Sequence, residues 1–156
     1  MLALVQPTLA ATSSPFAGYS GQWRGGGSVR VHQFPVPLNV SCSVEGSSSG
    51  KRSFSLDGTC RAMVFMSRKI RADLTLDPRT GVYRGVYIGS STGPAKLAGR
   101  MRGDTLDLQV TWAKVIYDDN KARMVIRNPN GRNFSMQVIE KINGKRTMIS
   151  NLAFHR

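Results

Sequence analysis

Nine carboxylates, two histidines and two cysteines are the side chains here best suited to chemistry. The carboxylates are Glu45, Asp57, Asp73, Asp77, Asp104, Asp107, Asp118, Asp119 and Glu140. Most fall at turns or on the polar face of an alternating segment. Catalysis by a carboxylate pair needs both groups in one cleft with their pKa values driven apart, and no spacing here gathers them. His32 follows the first strand-like segment and His155 sits beside the end, with no serine or cysteine placed for either to activate. Gly25-Gly26-Gly27 lacks the Lys-Ser/Thr and the helix of a phosphate loop, and reads as a bend in a strand. Cys42 and Cys60, with His32 and His155 far off in sequence, lack zinc-ligand spacing. The chain therefore reads as non-enzymatic, with no catalytic residue, cofactor or metal expected.

The cysteines suit a different chemistry. The segments 38–45 and 54–62 read as a hairpin whose tip lies in Ser47-Ser48-Ser49-Gly50-Lys51-Arg52. With the turn centred on Lys51, Cys42 falls directly opposite Cys60. Facing positions bring Cβ atoms within about 4.5–5.5 Å, which local twist can close to a disulfide. Such a bridge is expected only in an oxidising compartment.

Charge points to partners. The formal net charge is +13, from 22 Lys and Arg against 9 Asp and Glu. A field of that sign raises encounter rates with anionic lipid head groups, glycolipids, acidic proteins or nucleic acid. Arg84, Arg100, Arg102, Arg123 and Arg127 are the candidate anion contacts. Nucleic acid would demand strand-centred aromatics for base stacking, and only Tyr83 and Tyr87 offer a pair, so it is the less favoured partner.

Residues 1–11 carry a short apolar run, Pro7 and then small residues, the pattern of a signal-peptide remnant ahead of a cleavage site. Residues 12–17 are expected to be a flexible N-terminal segment, and 18–156 a single domain. No stretch approaches the roughly 18 apolar residues of a membrane-spanning helix. A periplasmic or secreted location follows from the leader and the cysteines together.

The elements that must position these residues are strands. Ile70, Ala72, Leu74 and Leu76 alternate with polar residues; so do Leu97, Gly99 and Met101, then Leu106, Leu108, Val110 and Trp112 after Gly103-Asp104. That turn sets Met101 against Leu106, Gly99 against Leu108 and Leu97 against Val110, with Arg100 facing Asp107 on the wet side. Tyr83, Gly85 and Tyr87 share one phase and Val82, Val86 and Ile88 the other, leaving the inward face open. Asn143-Gly144 is a strong hairpin signal before a last strand through Met148, Leu152 and Phe154. Nine or ten strands in up-and-down order close most economically as one antiparallel barrel, because closure removes exposed edges.

Gly21-Gln22-Trp23 at the start of the meander and Arg156 at its end resemble the calycins, the lipocalin-like and avidin-like barrels. The resemblance implies that Gly21 turns the chain in, Trp23 plugs one end, and Arg156 covers the indole as a structural lock. The stretches Gly81 to Tyr87, Leu97 to Arg100 and Val110 to Lys114 are similar in order to the middle strands of avidins. Those use several tryptophans around biotin, and this chain has only Trp23 and Trp112. A looser resemblance is to periplasmic metalloprotease inhibitors, barrels with one disulfide near the N-terminus. It implies that residues 12–17 would enter a protease cleft.

In such a barrel Tyr83, Tyr87, Leu97, Leu108, Val110, Trp112, Met124, Phe134 and Met136 are the candidate cavity lining. A small barrel either fills this space with side chains or holds one small ligand. The expected function is binding of an anionic or amphiphilic envelope partner. A protease-inhibitor barrel and a basic nucleic-acid-binding barrel are the alternatives.

Overall fold

The computed structural model describes residues 16–32 and 34–156. The leader 1–11 and residues 12–15 lie outside them. A short 3₁₀ helix, Ala17–Tyr19, is followed by ten strands: β1 (Gly21–Val29), β2 (Leu38–Ser49), β3 (Ser53–Ala62), β4 (Met66–Asp77) and β5 (Val82–Ile88) form the first half. β6 (Ala95–Arg102), β7 (Thr105–Thr111), β8 (Lys121–Arg127), β9 (Asn133–Ile142) and β10 (Lys145–His155) form the second. Each strand pairs antiparallel with its sequence neighbours and β10 closes on β1, giving an up-and-down barrel without free edges.

Period-two alternation sets which side chains turn inward. The β6–β7 register is the expected one: Met101 opposite Leu106, Gly99 opposite Leu108, Leu97 opposite Val110. Asn143 and Gly144 take φ of 52° and 76°, the double positive φ of a type I′ turn. The open question in β5 is answered by its neighbours. Ala72 faces Tyr87 and Leu76 faces Tyr83, so Tyr83, Gly85 and Tyr87 turn inward and Arg84, Val86 and Ile88 outward. The outer wall is polar and the interior apolar, the reverse of a membrane-spanning barrel.

The Gly25-Gly26-Gly27 run lies within β1, in unbroken register with β2 and β10, and both neighbouring strands crowd it there. A Cβ built on Gly25 would lie 1.9 Å from the Ala153 carbonyl oxygen, and one on Gly26 would lie 2.0 Å from that of Val40. Side chains are excluded there by backbone.

Even-numbered connections of the barrel and both chain ends lie at one rim, the odd-numbered ones (β1–β2, β3–β4, β5–β6, β7–β8, β9–β10) at the other. The first rim is closed by aromatic packing. Trp23 is 1% exposed and its indole N–H donates to the Tyr19 carbonyl at 2.9 Å. The Arg156 guanidinium covers the ring at 4.2 Å and donates to the carbonyls of Gly131, Ser20 and Gly18. Phe134 meets Trp23 edge-on at 4.8 Å and stacks on Phe154 at 4.5 Å.

At Phe16 the structure departs from the flexible lead-in expected over 12–17. Phe16 is 0% exposed, stacked on Phe54 at 4.6 Å and edge-on to Tyr83 at 5.3 Å. An aromatic ring beside an open barrel end gains more by burial than by solvation, and this outweighs the freedom of a chain terminus.

Candidate functional site

The opposite, loop-rich rim is built from smaller inward residues. Ala62, Ala72, Ala95 and Ala122 turn inward from β3, β4, β6 and β8, alongside the larger Tyr87 and Trp112. The disulfide belongs to this half: Cys42 faces Cys60 in the register, with the sulfurs 2.01 Å apart. The turn geometry that predicted the pair also produced it.

Glu140 turns inward in the same half. It continues the inward phase of Phe134, Met136 and Val138 along β9, opposite Ala122 of β8, and is 1% exposed. Glu140 is thus an exception to the expectation that most carboxylates fall at turns or on polar faces. Its Oε1 accepts from the Trp112 indole N–H, while Oε2 is buried without a hydrogen-bond partner. Burial pushes the Glu140 carboxyl above the ordinary range; the Trp112 bond opposes the shift, and the charges of Asp119 and Asp118 reinforce it. One other buried side-chain oxygen among the described residues lacks a partner, the Tyr19 hydroxyl at the closed rim, walled in by Phe54 and Phe134.

The β7–β8 loop brings further groups to the same rim. Asp118 pins it to the β9–β10 hairpin, accepting from the Asn143 and Gly144 amides at 2.8 Å each. Burial raises the Tyr117 pKa, lowered by Arg30 and raised by Glu140, and the ring packs against His32 at 5.6 Å. Tyr87 meets Trp112 edge-on at 6.4 Å, and burial of its hydroxyl pushes its pKa up to about 12 against the opposing charge of Arg68. Arg68 faces Cys60 across β3–β4, so it belongs to the inward phase, reaching the Gly89 carbonyl at 3.3 Å. The rim thus combines a buried carboxyl, two phenols, an indole and one guanidinium.

All nine candidate lining residues turn inward. Tyr83, Leu97, Leu108, Val110, Trp112, Met124, Phe134 and Met136 are buried and Tyr87 is half-buried. They divide between the rims: Tyr83 and Phe134 join the aromatic plug, Tyr87 and Trp112 the loop-rich half.

The candidate anion contacts do not converge. Arg84 borders a shallow outer depression of about 310 Å³ lined largely by serines, including Ser47 and Ser55. Arg100 donates to the Thr80 carbonyl at 2.7 Å, and Arg102 is exposed on the outer wall. Arg100 does face Asp107, but the ion pair forms elsewhere: Arg123 holds both Asp107 oxygens, at 2.8 and 2.6 Å. A fork-shaped guanidinium on β8 meets the carboxylate bidentately, a fit that Arg100, held by Thr80, does not make. Arg127 reaches Asp104 at 3.4 Å.

Sequence reasoning missed the most exposed apolar feature. Of the large apolar residues left exposed, Val36, Met63, Val64, Phe65, Ile88, Val115 and Met148 all lie on the loops or strand ends of the loop-rich rim, and Val86 alone lies on the wall. The signal was the run Met63-Val64-Phe65-Met66, apolar throughout where a hairpin tip should be polar. Among the described residues no group of His, Cys, Asp or Glu could hold a metal, and no helix is long and apolar enough to cross a membrane.

No family model matches the sequence, and no curated protein matches it. Among solved structures the chain is similar to Rv2717c from M. tuberculosis, with a TM-score of 0.70 at 17% identity, covering 95% of this chain and 98% of that one. At that identity the likeness shows the fold alone.

Proposed function

We propose that this is an exported, calycin-like binding barrel that takes an acidic amphiphile of the envelope, lipid or glycolipid in class, at its loop-rich rim, without catalysing a reaction. The observation that carries the reading is Glu140, a fully buried carboxyl with one oxygen unpartnered in the loop-rich half. A buried polar atom left unsatisfied costs about 1–3 kcal/mol, so a ligand atom that satisfies it gains affinity there. Burial favours the protonated form of Glu140, whose Oε2 can donate to a head-group oxygen. Arg68, on the inward phase of the same rim, supplies the positive charge that an acidic head group requires. The disulfide supports export, since such bridges persist in oxidising compartments.

The test is native mass spectrometry of delipidated protein titrated with dodecanoic acid below its micelle concentration. A one-to-one adduct is expected, weakened by about tenfold in Glu140→Leu with folding retained. No adduct, or equal affinity in the variant, would remove the reading. Protease inhibition that is lost on deleting residues 12–15 would support the tail-inhibitor alternative instead.

A further inference from the structure

We infer that the β3–β4 turn is a membrane-docking prong that seats the loop-rich rim on an anionic bilayer surface. The inference extends the binding reading above to the surface from which an amphiphile would be drawn, and it stands on the exposed β3–β4 tip and not on Glu140. Val64 is 101% exposed, Phe65 83% and Met63 54%, three consecutive apolar side chains in water at one hairpin tip. Hairpin tips ordinarily carry Gly, Asn, Asp or Ser. Here Met63 holds φ of 57°, a left-handed conformation that glycine adopts freely and a bulky L-residue does not. The turn therefore keeps an apolar side chain at a position where local conformation favours none.

The surroundings identify the partner. Arg61, Arg68 and Lys69 flank the prong on β3 and β4, and Lys114, Lys145 and Arg146 stand across the same rim, on the β7–β8 loop and at the start of β10. None of these cations belongs to an ion pair among the described residues. The acids at that rim are occupied or hidden: Glu140 is buried, Asp118 caps the Asn143 and Gly144 amides, and Asp119 accepts from the Lys121 amide. Exposed apolar tips ringed by unpaired cations match a bilayer with anionic head groups. Apolar side chains enter the head-group boundary to a depth of about 5–10 Å, and Lys and Arg remain among the phosphates. The other exposed apolar residues of this rim, Val36, Ile88, Val115 and Met148, lie on different loops and strand ends, which suits a broad, fluid surface better than a single pocket on a protein.

Co-sedimentation with vesicles tests the proposal. The protein should bind vesicles containing phosphatidylglycerol and bind phosphatidylcholine vesicles far more weakly, with added salt reducing the difference. The double variant Val64→Asp/Phe65→Asp should lose binding by about tenfold or more, since it removes the apolar insertion and adds two like charges. Both side chains are exposed, so its thermal midpoint should equal that of the parent. Arg61→Gln/Lys69→Gln should weaken binding and shallow its salt dependence. Equal binding to both vesicle types, no vesicle binding, or an unaltered Val64→Asp/Phe65→Asp variant would overturn the proposal, as would capture of an acidic protein by the rim without vesicle binding. The dodecanoic acid adduct, measured without vesicles, should survive Val64→Asp/Phe65→Asp. Loss of the adduct with docking intact counts against the binding reading alone, and the converse against docking alone.

Discussion

The two rims of the barrel solve the same problem in opposite ways. At one, seven aromatic rings from Phe16, Tyr19, Trp23, Phe54, Tyr83, Phe134 and Phe154 pack on each other under the Arg156 guanidinium. At the other, an inward carboxyl opposite Ala122 keeps one oxygen unsatisfied, and large apolar side chains on the loops and strand ends face water. On the proposed function, stability and binding are separated along the barrel axis. Substitutions at the plug should change folding, and substitutions on the loops should change interactions.

The largest break in that comparison is Trp23→Ala. Removing the indole leaves a void among Tyr19, Phe134 and Arg156, and denaturant unfolding should show a loss of about 3–5 kcal/mol. Cys42→Ala/Cys60→Ala comes next. The bridge joins residues 18 apart, and its removal should cost about 3 kcal/mol, seen equally on reduction of the parent. Arg156→Ala should lose about 1–2 kcal/mol, from the indole stack and the carbonyls it satisfies at the join of the two chain ends.

Glu140→Gln tests the loop-rich rim by pH. Because the folded pKa of Glu140 is raised, its contribution to stability is fully present below the unfolded value and is lost as pH rises through the folded value. Denaturation midpoints of the parent should therefore decline with pH above the ordinary glutamate range, and Glu140→Gln should flatten that decline. The smallest effect belongs to Arg123→Ala. The pair with Asp107 is half-exposed, so its loss should cost less than about 1 kcal/mol despite its bidentate geometry.

Much of the barrel, with its plug, was legible in the sequence because those parts obey local rules. Strand alternation fixed the β6–β7 register, the nine-residue symmetry about Lys51 paired the cysteines, and Gly21, Trp23 and Arg156 carried a recognisable pattern. Phe16 escaped because a lone aromatic beyond the first strand has no periodicity to place it. Glu140 escaped for a different reason: residue type suggested solvent, although the phase of Phe134, Met136 and Val138 runs straight through it. Arg123 displaced Arg100 as the partner of Asp107 because cross-strand position fixes neighbours, while guanidinium geometry chooses among them. The Met63-Val64-Phe65 tip was obscured by its own composition, since an apolar run reads as strand until the register shows it to be a turn.

Each rim carries one tryptophan, so the indole N–H signals of Trp23 and Trp112 report on the two rims separately in a two-dimensional NMR titration. With dodecanoic acid added to delipidated protein, the Trp112 signal should move, because its donor is held by Glu140, and the Trp23 signal should stay in place. Movement of Trp23 with Trp112 unchanged, or no movement of either, would contradict the assignment of binding to the loop-rich rim.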